Sequence, residues 1–176
     1  MLRRCLPLAG ILLVAGCGGG GSTVKAPAPA APESIRLTSP AFHDGGTIPE
    51  RFTCSGKGSP PPLSWSGVPR SARSLALLVE DPDAPSGTFV HWTAWDIPPR
   101  SHRLTHPPRQ GNNSSGDTGW TPPCPPNGAS PHHYVFTLYA LSKPLGLESG
   151  LDADAVHRAV RGKALARGRL TGRFGR

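Results

Sequence analysis

The sequence has few aromatic residues and no apolar stretch long enough to suggest a membrane-spanning helix. Aromatic residues make up 6% of the 176 residues, whereas glycine and proline occur 22 times each. This composition favours short strands joined by turns over long helices. The length is sufficient for one domain with a hydrophobic core. The sequence therefore predicts a single domain that is rich in strands and turns.

Acidic residues are missing from the end of the chain, where seven basic residues occur from Arg158 onward. Residues 17–157 contain 10 basic and 11 acidic side chains, so this larger part has a net charge of −1. Because no basic stripe runs through the body of the domain, nucleic-acid binding is not expected as its main role. The basic tail is interpreted as a solvated face, with contact to anionic lipid as the alternative.

The N-terminus has the pattern of an exported lipoprotein. Basic residues precede a short apolar stretch, Leu6–Ala15, which ends in Leu-Val-Ala-Gly-Cys17 and resembles a bacterial lipobox. We expect residues 1–16 to be a signal peptide, Cys17 to be lipidated, and residues 17–34 to be a Gly/Ala/Pro tether before a domain at 35–176. The protein would then be anchored by lipid to a bacterial cell membrane, on its periplasmic or outer-surface side. The alternative is an ordinary secretory signal in which Cys17 is incidental.

Cysteine is scarce, with four residues in the chain. Cys5 leaves with the predicted signal peptide and Cys17 would carry the lipid, so Cys54 and Cys124 remain as a candidate disulfide in an oxidising compartment. On the loop-entropy model, a bond that closes about 70 residues would add roughly 4 kcal/mol to stability. Two buried free thiols are the alternative, and a metal site made by these two cysteines alone is not expected.

Apolar and alternating runs predict a mostly β domain with one C-terminal helix. Asp152 can cap this helix over Ala153–Ala166. Alternation along Phe89–Ile97 predicts that Phe89, His91, Thr93, Trp95 and Ile97 share one face of their strand. The predicted strands are Ile35–Thr38, Ser74–Glu80, Phe89–Ile97, Tyr134–Leu141 and Arg169–Phe174.

Ionisable and hydrogen-bonding side chains that could form a binding site lie at the ends of three of these strands. Asp81 begins a proline-stiffened loop, His91 lies early in the next strand, and His132 and Tyr134 open the third. If the three strands are neighbours, these side chains surround one cavity and offer hydrogen-bond donors to an anion. The simpler alternatives are that Asp81 only shapes its own turn and that His91 and Tyr134 are core residues.

These side chains belong to two motifs, Asp81-Pro-Asp-Ala-Pro85 followed by His91-Trp92, and Cys124-Pro-Pro-Asn-Gly128 followed by His132-His133-Tyr134. The two motifs resemble the phosphatidylethanolamine-binding protein family, and its bacterial Raf-kinase-inhibitor-like branch in particular. The resemblance extends from about Ile35 to the end of the chain. It implies a mainly β fold, a Greek-key antiparallel β-sandwich with a peripheral C-terminal helix, and a cis bond before Pro85.

The same resemblance implies a pocket for a small anion or a phospholipid headgroup. Carried over residue by residue, the pocket would contain Asp81, His91, His132 and Tyr134, with Pro125 and Pro126 as a wall. His133 stands where the family usually has arginine, which replaces a permanent cation near the mouth with a group that titrates.

Three functional hypotheses follow, of which a lipid-anchored binding protein is the leading one. No Gly-x-Ser-x-Gly or His-Glu-x-x-His motif occurs, and we expect no catalytic residues, no cofactor and no metal. The alternative is an inhibitor or regulator that acts through its surface, with a protease a better-suited partner than a kinase for an exported protein. The third hypothesis, a metal-dependent hydrolase, would use Asp81, His91 and His132 as ligands.

Overall fold

The computed structural model describes residues 27–176. The predicted signal peptide, the lipidation site at Cys17 and the first part of the predicted tether lie outside the described residues. Among the residues it describes, no helix has the length and apolar character needed to cross a membrane.

Within residues 27–176, two antiparallel sheets and one helix form the domain, which confirms the mainly β fold class. The larger sheet has five strands in the order β5-β4-β3-β6-β7, and β1 pairs with β2 in a second sheet. A 3-10 turn spans Glu50–Phe52. The elements are β1 (Arg36–Thr38), β2 (Ser64–Ser66), β3 (Ser74–Asp81), β4 (Phe89–Ile97), β5 (Arg109–Gln110), β6 (His132–Leu141), α1 (Ala153–Val160) and β7 (Ala164–Phe174).

Strand β3 is central because both of its faces are covered, and all eight of its residues are buried. Leu75, Leu77 and Val79 belong to a large core that also contains apolar residues of β1 and β2. Ala76 and Leu78 belong to a smaller core on the opposite face, where α1 packs. A continuous apolar run is the expected sequence of a strand that is buried on both sides.

The helix is shorter, and the last strand longer, than the sequence analysis predicted. Asp152 caps α1 as expected, because its side chain accepts a hydrogen bond of 2.6 Å from the backbone N–H of Ala155. The helix ends at Val160 instead of Ala166, since Gly162 has a φ of 79° that a helix cannot contain. The chain then turns and pairs along the whole of β6, so β7 begins at Ala164.

The predicted alternation along β4 is wrong because the strand contains two irregularities. Val79 pairs with Trp92 but Glu80 pairs with Val90, so His91 is an extra residue in a β-bulge. A second register shift follows near Asp96, which has a φ of 55°. As a result, Ile97 lies in the larger core with Trp92, whereas Trp95 lies in the smaller core.

Residues 27–34, which we call the strap, contact the domain although they were predicted to belong to the tether. Pro29 is buried, and its carbonyl accepts a hydrogen bond of 3.1 Å from the hydroxyl of Tyr139. The carbonyl of Pro32 accepts from the backbone N–H of Arg167 at 2.8 Å. The carboxylate of Glu33 forms ion pairs with Arg167 and Arg169. Contacts with the domain therefore begin before the boundary predicted at Ile35.

Candidate functional site

The candidate site lies where three neighbouring strands of the larger sheet begin or end. Asp81 is the last residue of β3, and β3 is paired with β4 on one side and with β6 on the other. Because all these pairs are antiparallel, the end of β3 lies beside the start of β4 and the start of β6. The predicted convergence of these strand ends is therefore confirmed.

Asp81 and His132 form a buried pair at this point. The Nδ1–H of His132 donates to Oδ2 of Asp81 at 2.7 Å, and the two side chains are 8% and 5% exposed. The other carboxylate oxygen of Asp81 accepts from the backbone N–H of Asp83 at 2.9 Å. Asp81 thus shapes its own turn, as one of the two interpretations held, and also orients the imidazole of His132; its direct contact with a ligand stays a prediction.

The bulge in β4 positions His91 between aromatic side chains. The ring centroid of His91 is 4.7 Å from that of Phe89, 5.2 Å from that of Tyr134 and 6.3 Å from that of Trp120. Its Nδ1 lies 2.9 Å from the carbonyl oxygen of Thr121. A carbonyl can only accept, so Nδ1 carries the hydrogen and Nε2 is the nitrogen left for another partner.

Burial lowers the pKa of His91, although the Thr121 carbonyl and the carboxylate of Asp81 act in the opposite direction. The imidazole is therefore predominantly neutral at neutral pH, with its hydrogen on Nδ1. In this form Nε2 is a hydrogen-bond acceptor, and it becomes a donor only when the ring is protonated.

Tyr134 brings a phenol hydroxyl into the same cluster. Its ring centroid is 6.5 Å from that of His132, and the hydroxyl is buried with no hydrogen-bond partner within residues 27–176. Burial raises the pKa of Tyr134, and the charges of Asp81 and Asp83 raise it further. The group therefore remains protonated and can donate a hydrogen bond.

The loop of the second motif is fastened beside this cluster. Cys54 and Cys124 form a disulfide, which confirms the predicted pair, and the backbone N–H of Cys54 donates to the carbonyl of Pro123 at 3.0 Å. Pro125 is buried and Pro126 is exposed. No described contact joins either proline ring to the two imidazoles, so their role as a wall stays a prediction.

Arg176 is a neighbour of the site that the sequence analysis missed. Its Nε–H donates to the carbonyl of Pro125 at 2.8 Å, and its own carbonyl accepts from the backbone N–H of Gly128 at 2.9 Å. The positive charge is near enough to act on the pKa of Tyr134, in the lowering direction. Arg176 was grouped with the solvated tail because only the pairing of β7 with β6 brings it to this end of the sheet.

Known proteins are similar to this chain over most of its length. A family model described as phosphatidylethanolamine-binding protein matches residues 38–175. The chain belongs to the phosphatidylethanolamine-binding protein family. It is also 42% identical to LppC of Mycobacterium tuberculosis, which is named a candidate lipoprotein, with 98% of this chain and 96% of that protein covered.

Two solved structures of the family have the same fold. A candidate homologue from Chlamydia trachomatis has a TM-score of 0.77 and 38% identity, covering 82% of this chain and 99% of its own. YbcL of Escherichia coli, described as a new member of the mammalian PEBP family, also has a TM-score of 0.77, with 29% identity and coverage of 81% of this chain and 99% of its own. The resemblance expected from the two sequence motifs is therefore confirmed.

The loop that follows Asp81 and the β6 residue that contacts it differ from the usual pattern of the phosphatidylethanolamine-binding protein family. All described peptide bonds are trans, including the bond before Pro85, so the expected cis bond does not occur. His133, which replaces the usual arginine, points its Nδ1 at the carboxylate of Asp83 with a distance of 2.7 Å. The mouth of the site therefore contains a histidine–carboxylate pair that ties the Asp81 loop to β6.

The arrangement bears also on the hydrolase hypothesis. Within residues 27–176, no group of three or more histidine, cysteine or carboxylate side chains is placed to hold a metal ion. Asp81 and His132 are instead engaged with each other, and His91 is bonded to a backbone carbonyl. The cluster presents hydrogen-bonding groups in an aromatic surrounding.

Proposed function

We propose that this protein is an exported, lipid-anchored binding protein whose pocket takes a small anion or a phospholipid headgroup. The observation that carries the proposal is the hydroxyl of Tyr134, a buried donor without a partner among the described residues. Leaving such a group unsatisfied costs about 1–3 kcal/mol, and a bound anion would remove that cost. The chain is a member of the phosphatidylethanolamine-binding protein family, and this membership supports the same conclusion.

The two imidazoles supply the remaining recognition. In each ring Nδ1 is committed to a protein acceptor, Thr121 for His91 and Asp81 for His132, so Nε2 is available to a ligand. A phosphate can accept from the phenol of Tyr134, and its monoanion also carries a P–O–H that can donate to the Nε2 of neutral His91; if binding protonates the ring, Nε2 donates to a phosphate oxygen instead. The aromatic rings that surround His91 reduce the local dielectric and so strengthen these hydrogen bonds.

The anchor and the location form part of the proposal. Similarity to a relative named a candidate lipoprotein over nearly the whole chain supports export and lipid attachment at Cys17. A domain held at a membrane surface would meet phospholipid headgroups at high effective concentration. The proposal assigns the protein no catalytic residues, no cofactor and no nucleic-acid partner.

Isothermal titration with phosphate and with phosphoethanolamine tests this function. We expect both to bind the wild-type protein, and His91→Ala and His132→Ala each to weaken binding about tenfold or more, because each removes a hydrogen bond to a charged ligand. Tighter binding of phosphoethanolamine than of phosphate would favour a headgroup as the ligand.

His106→Ala is the matched control, since His106 is exposed in the loop before β5 and outside the cluster. It should bind like wild type. The absence of heat with wild-type protein, or unchanged binding in both pocket variants, would contradict the proposal. Protease inhibition that survives both pocket substitutions would support the alternative of an inhibitor that acts through its surface.

A further inference from the structure

A cavity of about 780 Å³ lies at the end of the larger sheet opposite to the Asp81–His132 pair. Its wall is made by the turn that follows β2 and the turn that follows β4. We call it the basic cleft, after the side chains of Arg70, Arg73, Arg100 and His102 that line it.

The basic cleft is distinct from the anion site proposed above. Arg73 immediately precedes β3, whereas Asp81 is its last residue. Eight strand residues at about 3.3 Å each separate the two ends by roughly 25 Å. A ligand of ordinary size in one site therefore does not reach the other.

The charge of the cleft is uncompensated. None of the described residues that line it carries a carboxylate. In the part of the chain that the structure describes, the arginines with ion pairs are Arg109, Arg167 and Arg169, so the three guanidinium groups of the cleft have none. No aspartate or glutamate occurs in residues 51–79 or 97–116, the two stretches that supply the walls. Surfaces normally mix the two signs of charge, so this separation requires an explanation.

The cleft is held by backbone hydrogen bonds on both walls. On one wall the N–H of Ala72 donates to the carbonyl of Pro69 at 3.0 Å, and the N–H of Arg73 donates to the carbonyl of Leu141 at 2.8 Å. On the other, the carbonyl of His102 accepts from the N–H of Trp65 at 3.0 Å. The positions from which the basic side chains project are therefore fixed before a ligand arrives, which lowers the entropic cost of binding.

We propose that the basic cleft binds an anionic ligand with two or more phosphate groups. Each guanidinium can bind a phosphate through two parallel hydrogen bonds, and three of them together carry more positive charge than one phosphate, at about −2, can neutralise. Arg36 stands opposite Ser66, a lining residue, in the pairing of β1 with β2 and adds a cation near the rim. The concave shape and the volume are those of a small-molecule site.

Titration of the full-length protein in detergent with inorganic tripolyphosphate, at fixed ionic strength, tests this site. We expect tripolyphosphate to bind at least about tenfold more tightly than orthophosphate, and Arg70→Gln combined with Arg100→Gln to weaken its binding at least about tenfold. The soluble headgroup inositol 1,4-bisphosphate is the second probe. Whichever of the two probes binds more tightly indicates whether the ligand is a linear oligophosphate or a lipid headgroup.

Lys57→Gln combined with Arg158→Gln is the matched control, because it removes the same net charge from exposed positions outside the cleft. This control should change the affinity for tripolyphosphate by less than about twofold, because salt screens charges that lie far from the cleft. Equal weakening by both double variants would overturn the site in favour of general charge attraction. Loss of tripolyphosphate binding in His91→Ala combined with His132→Ala would assign the binding to the other site and would also overturn the proposal. Thermal melting of each variant establishes that it is folded.

Discussion

At the scale of single residues, the two tyrosines of the chain form a natural pair for comparison. Both are fully buried, and both lie on β6. The hydroxyl of Tyr139 donates to the carbonyl of Pro29, whereas that of Tyr134 has no partner within residues 27–176. Burial raises the pKa of Tyr139 to about 12 and also raises that of Tyr134, so both are protonated donors at neutral pH. Of the two hydroxyls, only that of Tyr134 is not already donating to a group among the described residues.

Tyr134→Phe should therefore separate binding from stability. Removal of a hydroxyl with no protein partner takes away an unsatisfied polar group, so we expect the free energy of unfolding to stay within about 1 kcal/mol of wild type or to rise. Phosphate or phosphoethanolamine affinity should fall about tenfold. Urea denaturation and titration calorimetry measure the two quantities.

Tyr139→Phe is the control and should give the opposite result. It breaks the hydrogen bond to Pro29 and leaves a buried carbonyl without its donor, so stability should fall by about 1 kcal/mol or more. Ligand affinity should not change. Equal affinities of the Tyr134→Phe variant and the wild-type protein would remove the main support for the anion pocket.

The lowered pKa of His91 predicts how the free energy of unfolding depends on pH. Its pKa in the folded protein is lowered by burial from the ordinary value of 6.5, so below that value the unfolded chain binds more protons than the folded one. The contribution of neutral His91 is complete above pH 6.5 and is lost as the pH falls toward the lowered folded pKa. The slope from one such group is at most about 1.4 kcal/mol per pH unit.

Urea denaturation of wild type and His91→Gln at pH 7.5 and pH 5.0 measures this effect. Glutamine can still donate to the Thr121 carbonyl but does not titrate. The variant should lose less stability than wild type between the two pH values. The same loss in both proteins would mean that His91 is not the group responsible.

At the scale of secondary-structure elements, the sequence predicted what depends on local pattern. Apolar runs identified β3 and β6, and Asp152 identified the start of α1. The bulge at His91 was not predictable in this way, because it results from the register between β3 and β4 and not from the sequence of either strand. The predicted end of α1 was wrong for a different reason. Residues from Ala164 onward, which the apolar pattern had assigned to the helix, pair with β6 instead.

The loop between β3 and β4 shows the same limit. Asp83 was interpreted as a turn residue, and its backbone N–H does bond to Asp81. Its carboxylate also accepts from the backbone N–H and the imidazole of His133, each at 2.7 Å. Partial burial acts to raise the pKa of Asp83, but these two hydrogen bonds outweigh it and the pKa is lowered. A pair separated by 50 residues is visible only once the strands are in register.

At the scale of the whole molecule, the net charge counted from the sequence did not predict where charged side chains gather or pair. The near-neutral total for residues 17–157 concealed the basic cleft, because the acidic residues that balance its arginines lie elsewhere in the fold. Conversely, two arginines of the basic tail, Arg167 and Arg169, are paired with Glu33 of the strap and are not a free solvated face. Composition sets the total charge, and only the fold decides where the charge is compensated.

The strap should stabilise the domain to which it is docked. Pro29 is buried, and hydrogen bonds from Tyr139 and from the backbone of Arg167 hold the strap against β6 and β7. A chain that begins at residue 34 should be less stable than one that begins at residue 27 by about 2–4 kcal/mol, since two or three hydrogen bonds and a buried proline are lost. Urea denaturation of the two chains, both without lipid, measures the difference.

Glu33→Gln in the longer chain distinguishes the contribution of the ion pairs from that of the backbone contacts. Glu33 and Arg169 are each about half exposed, at 48% and 50%, so screening by solvent should limit the loss to less than about 1 kcal/mol. Amide exchange at Arg167 should remain slow in this variant, because its N–H bonds to the carbonyl of Pro32 and not to Glu33. Equal stability of the long and short chains would instead make residues 27–33 a plain tether, as their Ala/Pro-rich composition had first indicated.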